Sequence, residues 1–328
     1  MSGETEEVRR TIPLTSHISR LTDYFLRVPN PSRRFSSHDM GMVVVSLLWG
    51  GNFAASKYAL GQISPLAFSA LRFTVAGGLL FAATRLMGAA RPVPRRTLVW
   101  LIILGLIGNT LYQTAFMTGL RITSATNSAM IVAFLPVMVA LLGAITGIER
   151  ATPAMWMGVF LGTAGVALVV GAKEMSWSSA SLGGDLLVLF ATLCWAIYTV
   201  GVRRFGIGVD PMQITSITVA AGAAGLLVAG VPELLRQDWG AVTLKTWSAV
   251  GYATIFALVI AAPLFNRAVQ GIGSDRTAVY NCLTPLVAMA VAWVTLREVP
   301  TPIQFVGVAL VLSGVWLSIT ASTPVVNR

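Results

Sequence analysis

Ten runs of apolar residues, each about 20 long, alternate with short polar gaps between residues 40 and 320. The hydrocarbon core of a bilayer is about 30 Å thick and a helix rises about 1.5 Å per residue, so a run of about 20 residues can cross it. The predicted spans are 40–60, 64–86, 97–119, 124–147, 153–171, 184–202, 211–231, 247–268, 277–296 and 302–320. Four gaps carry helix starts, Ser64-Pro65, Thr152-Pro153, Asp210-Pro211 and Thr301-Pro302. Proline fits the first helical turn, and a preceding Ser, Thr or Asp can cap it. The gaps leave no room for a second soluble domain.

The pattern repeats. Trp49 and Trp195 are 146 residues apart, as are Pro65 and Pro211. After a slip of three, a register of 149 relates Ala129 to Ala278, Pro136 to Pro285, Glu149 to Glu298, Pro153 to Pro302, Gly158 to Gly307 and Gly165 to Gly314. Each unit has five spans, an odd number, so the second enters the membrane from the opposite side. Inverted repeats of this kind build secondary transporters, whose halves exchange roles in alternating access. The plainer reading is a duplication that only builds a stable bundle. The predicted fold is all-α: ten transmembrane helices as two inverted five-helix repeats around a central cavity. Its parts are a tail (1–37), a first repeat (38–172), a second repeat (173–322) and a short C-terminal tail (323–328).

Composition agrees with a membrane protein: 55% of the 328 residues are apolar and 11% charged, where soluble domains carry about 25%. The net charge of +10 would suit nucleic acid only if the basic residues shared one solvated face. They lie instead in the gaps, which excludes nucleic acid as the expected partner and leaves membrane lipid and a small-molecule substrate. With the N-terminus inside, the cytoplasmic set holds Arg9, Arg10, Arg20, Arg27, Arg33, Arg34, Arg85, Arg91, Arg95, Arg96, Arg150, Arg203, Arg204, Arg267, Arg276 and Arg328. The opposite set holds only Lys57, Arg121, Lys173, Arg236, Lys245 and Arg297. Both termini are therefore expected in the cytoplasm, of a bacterial inner membrane. The first 37 residues lack the apolar core of a signal peptide. Ile18, Leu21, Phe25 and Val28, beside Arg20 and Arg27, suit either a short interfacial helix or a disordered basic tail.

The runs SLLWGGNFAASKYAL (46–60), SPLAFSALRFTVAGGLL (64–80) and FLPVMVALLGAITGIERATPAMWMGVFLGTAGVALV (134–169), with the degenerate copy at 283–318, resemble the drug/metabolite transporter superfamily. The likeness is to its ten-helix branch of paired EamA-like domains and covers about residues 40–320. It implies export or exchange of small metabolites, often amino acids, through a cavity between the halves.

Polar residues inside a span must face a cavity or find partners, so each is a candidate for function. Arg72 lies about 10 to 12 Å into span two, at about 1.5 Å per residue. It can bind a substrate anion, or it can snorkel or bond backbone carbonyls; because the resemblance makes it recurrent whatever the substrate, the weight falls on the structural role. Trp49 and Trp195 are at mid-span, where they can stack on a substrate or simply pack. Asn52, Asn109, Tyr112, Gln113, Asn127, Tyr198, Asn266, Tyr280 and Asn281 can line one wet, aromatic cavity or bond helix to helix. Gly50 and Gly51 can hinge span one or permit close packing. Pro136 and Pro285 should kink spans four and nine, as hinges or static bends. Gly158, Gly162, Gly165, Gly307 and Gly314 read as small-residue packing of spans five and ten.

His17 and His38 precede the first span, and every acid lies in a tail, loop or span end. Proton relays usually need an intramembrane Asp, Glu or His, and the small multidrug-resistance relatives use such a Glu, so the chain departs from that pattern. Hydrolytic enzymes lack their parts here too. Cys194 and Cys282 sit inside apolar runs and form no metal cluster, so no metal or cofactor is expected. The function expected is therefore export or exchange of a small metabolite down its own gradient. The favoured substrate is a hydrophobic or aromatic amino acid or similar zwitterion. The alternatives are a phosphorylated or sugar-linked metabolite and, in another class, a non-transporting scaffold or receptor.

Overall fold

The structure, a computed structural model, describes residues 35–122, 131–132, 134–148, 152–171, 182–296 and 301–321. In hydrocarbon each apolar run must satisfy its backbone within itself, and helices result. They are α1 (Ser37–Ala59), α2 (Pro65–Leu86), α3 (Arg95–Ile122), α4 (Leu135–Ile145), α5 (Pro153–Gly171) and α6 (Leu182–Phe205). The second half continues with α7 (Pro211–Arg236), α8 (Leu244–Ile272), α9 (Ser274–Tyr280), α10 (Leu283–Leu296) and α11 (Pro302–Ala321). Among the described residues there is no strand. Helices α2, α3, α6, α7 and α8 are each long and apolar enough to cross a membrane by length and composition. Helices α9 and α10 together make the ninth of ten spans. The basic tail read at 1–37 falls almost wholly outside the described residues, as does Asn127.

Of the expected caps, that of Asp210 forms on α7, whereas Ser64 makes no side-chain cap on α2. Asp210 accepts the Met212 N–H at 2.8 Å ahead of Pro211, and Ser36 and Asp39 close a reciprocal cap on α1. The α2 start is capped from the other repeat: Ser64 and Leu66 donate their N–H groups to Gln237 and Glu233, each at 3.0 Å.

Packing carries the repeat. Equivalent helices lie against each other, α2 on α7 and α5 on α11. Other contacts occur in exchanged pairs: α3 on α6 with α8 on α1, and α4 on α6 with α10 on α1. Interchanging the halves thus maps the bundle onto itself, as two five-helix repeats of opposite topology require. The α5–α11 contact is backbone on backbone. A Cβ at Gly165 would fall 2.6 Å from the Gly307 carbonyl, and one at Gly314 would fall 2.7 Å from that of Gly158.

Two features depart from the sequence reading. Spans three and eight each contain one widened π-helical stretch, Leu106–Leu111 and Ile255–Ile260, 149 residues apart. Neither stretch contains Pro or Gly-Pro punctuation, so nothing local announced it. Pro136 and Pro285, expected to kink continuous helices, instead lie in the first turns of α4 and α10. Span nine breaks at Asn281–Cys282, just before Pro285; Phe134 is a turn residue just before α4. Proline restricts the residue ahead of it and suits a first turn, so the interruption falls upstream.

The packing claim can be tested with Gly165→Leu, which should lower stability by about 1 to 3 kcal/mol through overpacking. The readout is thermal unfolding of the detergent-solubilised protein, with Gly78→Ala, where a Cβ meets nothing within 4 Å, as the control. Equal midpoints for Gly165→Leu and the parent would contradict backbone contact between α5 and α11.

Candidate functional site

A cavity of about 960 Å³ lies between the repeats. That is at the upper end of the range of about 300 to 1,000 Å³ seen for small-molecule sites. Its wall takes Trp49 and Asn52 from α1, Arg72 from α2, Tyr112 and Gln113 from α3, Trp195 and Tyr198 from α6, and Phe265 from α8. The interrupted segments supply Asn109, Ala257, Pro136, Asn281, Thr284 and Pro285. The cavity reaches the surface at Leu60, Gln62, Ser64 and Arg121, the end where α1 finishes. Toward the start of α1, the buried side chains of Met42, Val45, Phe265 and Val279 fill the space.

Aromatic rings form the closed end of the cavity. Trp49 and Trp195, equivalent in the repeat, meet edge to face with centroids 5.7 Å apart. Trp195 also stacks on Tyr198 at 5.0 Å and lies 5.2 Å from Tyr112 and 5.3 Å from Phe265. The Trp49 indole N–H donates to the Ala257 carbonyl at 3.0 Å, a carbonyl within the π stretch of α8. Gly108 lets Tyr198 approach α3, since a Cβ there would lie 2.5 Å from its ring.

The amides divide. The Asn109 amide donates to the Thr218 carbonyl of α7 at 2.9 Å while its side chain borders the cavity, so it also joins helices. Asn52 accepts a bond from the Ser56 hydroxyl at 3.3 Å. Asn266, expected on the wall, lies fully buried behind it: its amide donates to Thr215 at 2.9 Å and its oxygen accepts from the Tyr198 hydroxyl at 3.0 Å. Tyr280 is also displaced from the expected wall. It is the neighbour of Asn281, but successive helical residues point about 100° apart. Its hydroxyl reaches Asp39 at 2.9 Å, away from the cavity. Asn127, also expected on the wall, lies outside the described residues. Gly50 and Gly51 are close-contact positions inside α1, where a Cβ would lie 2.6 Å from Val287 and 2.5 Å from the Tyr252 hydroxyl.

Arg72 is 2% exposed and borders the cavity. Its guanidinium carbon lies 4.8 Å from the Phe68 ring centre and 5.4 Å from that of Phe73, within cation–π range. Among the described residues it bonds no carbonyl, and its Nε has no hydrogen-bond partner. Gln113 Oε1, Asn281 Oδ1 and Thr284 Oγ1 are buried and unpartnered too, and all three residues line the same cavity. Among the described residues the cavity therefore offers one deep cation and three neutral hydrogen-bonding groups with free capacity, amid aromatic faces. Among the described residues no Asp, Glu or His lines it, and no cluster of metal-ligating side chains occurs.

The profile of the EamA-like transporter family matches residues 37–171 and 182–320. The uncharacterized transporter YyaM of Bacillus subtilis is 30% identical over 276 residues, 82% of this chain and 89% of its own. An S-adenosylmethionine/S-adenosylhomocysteine transporter of Chlamydia trachomatis is 25% identical over 275 residues, 79% of this chain and 83% of its own. A solved crystal structure superposes with a TM-score of 0.72 at 21% identity, covering 86% of this chain and 96% of that one, and so shares the fold.

The network behind the wall gives a stability prediction. Tyr198→Phe should cost about 1 to 3 kcal/mol, because the buried Asn266 oxygen loses its donor while the stacking on Trp195 persists. Thermal unfolding is the measurement, and an unchanged midpoint would contradict the assignment.

Proposed function

The chain belongs to the EamA-like transporter family, and from that premise we propose that it exports or exchanges an amino acid with a hydrophobic or aromatic side chain, or a similar zwitterion. The observation that carries this reading is Arg72: a buried guanidinium, without a carboxylate partner among the described residues, on the wall of an aromatic cavity. A buried charge is costly unless paired, so a substrate carboxylate is its natural complement. Gln113, Asn281 and Thr284 supply oxygens that can accept from an ammonium group. The aromatic closed end suits an apolar or aromatic side chain.

The protein works by alternating access in a bacterial cytoplasmic membrane. Both termini are cytoplasmic, following the distribution of Lys and Arg among the gaps. The cavity then opens outward in this conformation. A cavity lined by no carboxylate or imidazole among the described residues supports transport driven by the substrate's own gradient.

A second reading has support from the cavity's size and from the Chlamydia relative. S-adenosyl compounds carry an amino-acid end and an adenine ring, and could use Arg72 and the aromatic faces together. Phosphorylated metabolites fit less well, since among the described residues Arg72 is the only basic one deep in the wall; Arg121 stands at the mouth.

Counterflow in proteoliposomes loaded with amino acids or S-adenosyl compounds, with and without a pH gradient, tests these readings. Exchange without a gradient is expected, and uptake that requires one would overturn the uncoupled mechanism. Arg72→Gln should reduce counterflow by about 10- to 100-fold, as loss of a charge-assisted contact of about 1.5 to 3 kcal/mol implies. Trp49→Ala and Tyr112→Ala should also reduce it in folded protein. Flux indifferent to all three substitutions would remove the cavity from the mechanism.

A further inference from the structure

The end of the bundle opposite the cavity mouth holds a buried ionic cluster that the cavity does not use. Asp39, in the first turn of α1, is fully buried. Its Oδ2 accepts the Ser36 N–H at 2.8 Å and the Ser36 hydroxyl at 2.6 Å. Its Oδ1 accepts Arg276 Nη2 at 2.5 Å and the Tyr280 hydroxyl at 2.9 Å. Arg276 and Tyr280 both belong to α9, the short helix of the second repeat, whereas Asp39 opens the first. Ser46 adds a third tie from α1, donating its hydroxyl to the Tyr280 carbonyl at 3.1 Å. Helix α9 is set off from its neighbours at both ends, by Gly273 at φ +92° and by the Asn281–Cys282 turn. A positive φ there favours glycine. Just beyond it, Asn281 and Thr284 are among the cavity-wall groups without a partner in the described residues.

We propose that the Asp39–Arg276–Tyr280 cluster is a latch that holds the bundle shut at this end, and that α9 must leave Asp39 for the cavity to open there. The proposal rests on the alternating-access reading above. A carboxylate whose two oxygens accept four bonds has no capacity left, so the closed arrangement is a defined state rather than a loose contact. The cluster lies about 15 Å beyond Trp49, ten residues along α1 at about 1.5 Å each. It therefore cannot touch a substrate stacked on Trp49. Because α9 runs directly into the Asn281 wall, a ligand engaging Asn281 and Thr284 acts on the same segment that carries Arg276 and Tyr280. This arrangement couples occupancy to release.

A side-specific accessibility assay tests the latch without knowledge of the substrate. Ser46→Cys, in a Cys194→Ala/Cys282→Ala background, puts a small thiol between latch and cavity, and the full chain is reconstituted in liposomes. A membrane-impermeant thiosulfonate reagent is applied from the latch side. Slow modification is expected in the otherwise unaltered chain, and at least about tenfold faster modification when Asp39→Asn and Arg276→Gln are combined, a pair that leaves no unmatched buried charge. Tyr280→Phe, which removes one hydroxyl and keeps the ion pair, should give a smaller increase and covers the case in which the double variant does not fold. Modification rates unchanged in the folded variants would overturn the latch. Flux in the counterflow assay alongside unchanged rates would refute the latch and leave the transport reading standing.

Discussion

Every backbone hydrogen bond that a membrane helix gives up must be replaced, because lipid offers no partner. Irregular backbone is therefore confined to places where protein or an aqueous cavity can receive it. This constraint organises the molecule. The π stretches of α3 and α8 contribute Asn109, Ala257 and Leu258 to the cavity wall. The turn between α9 and α10 contributes Asn281 and Cys282, and the start of α4 contributes Leu135 and Pro136. The irregular segments of spans three, four, eight and nine thus face one space. The Trp49 bond to Ala257 shows how freed geometry is used: a carbonyl in the widened turn receives an indole from the other repeat.

The same irregularities recur in the register of 149, so the cavity is a product of duplication as well as of chemistry. Around it, the halves are tied by contacts of two kinds. The α5–α11 pair approaches backbone to backbone through glycine, and α7 caps the start of α2 through Gln237 and Glu233. The glycine contact leaves no room for side-chain adjustment and suits a fixed part of the frame. By contrast α1 meets α9 through an ion pair, a tyrosine hydroxyl and a serine hydroxyl. Discrete polar contacts can be exchanged for others at modest cost, and bistable elements are built from them.

Much of this architecture was legible in the sequence, for identifiable reasons. Apolar runs and cap residues followed by Pro placed the spans because both are local signals. The offset of 146 marked Trp49 and Trp195 as equivalent positions, and the structure places their rings 5.7 Å apart, as positions near a two-fold relation can be. Three features were not legible. The π stretches share no sequence signature: Leu106–Leu111 contains Gly108, Asn109 and Thr110, whereas Ile255–Ile260 is wholly apolar. Tyr280 and Asn266 have the composition of wall residues but are turned toward Asp39 and Thr215, an orientation that depends on helix phase and neighbours. Arg276 was counted as a loop charge because it lies beside Gly273 in a polar gap. The break at Gly273 begins a short helix that carries it back into the bundle.

The two deep guanidinium groups illustrate opposite solutions to one electrostatic problem. Arg276 has its charge neutralised within the chain by Asp39, in the part of the bundle that is filled by Met42, Val45 and Phe265. Arg72 has no such partner among the described residues, and it stands where the bundle is hollow. It rests on Phe68 and Phe73, whose faces soften the cost of burial without cancelling a full charge. A fixed internal carboxylate beside Arg72 would make the cavity electrically complete and leave nothing for a ligand to add. Leaving that carboxylate out, on the proposed reading, makes the solute the missing counter-ion, so the empty cavity is the strained state and binding relieves it. The latch is the reverse case, complete without any ligand and therefore stable when the cavity is empty. Opening at that end then requires interactions made elsewhere, and the wall that joins Asn281 to α9 is where a bound solute could supply them.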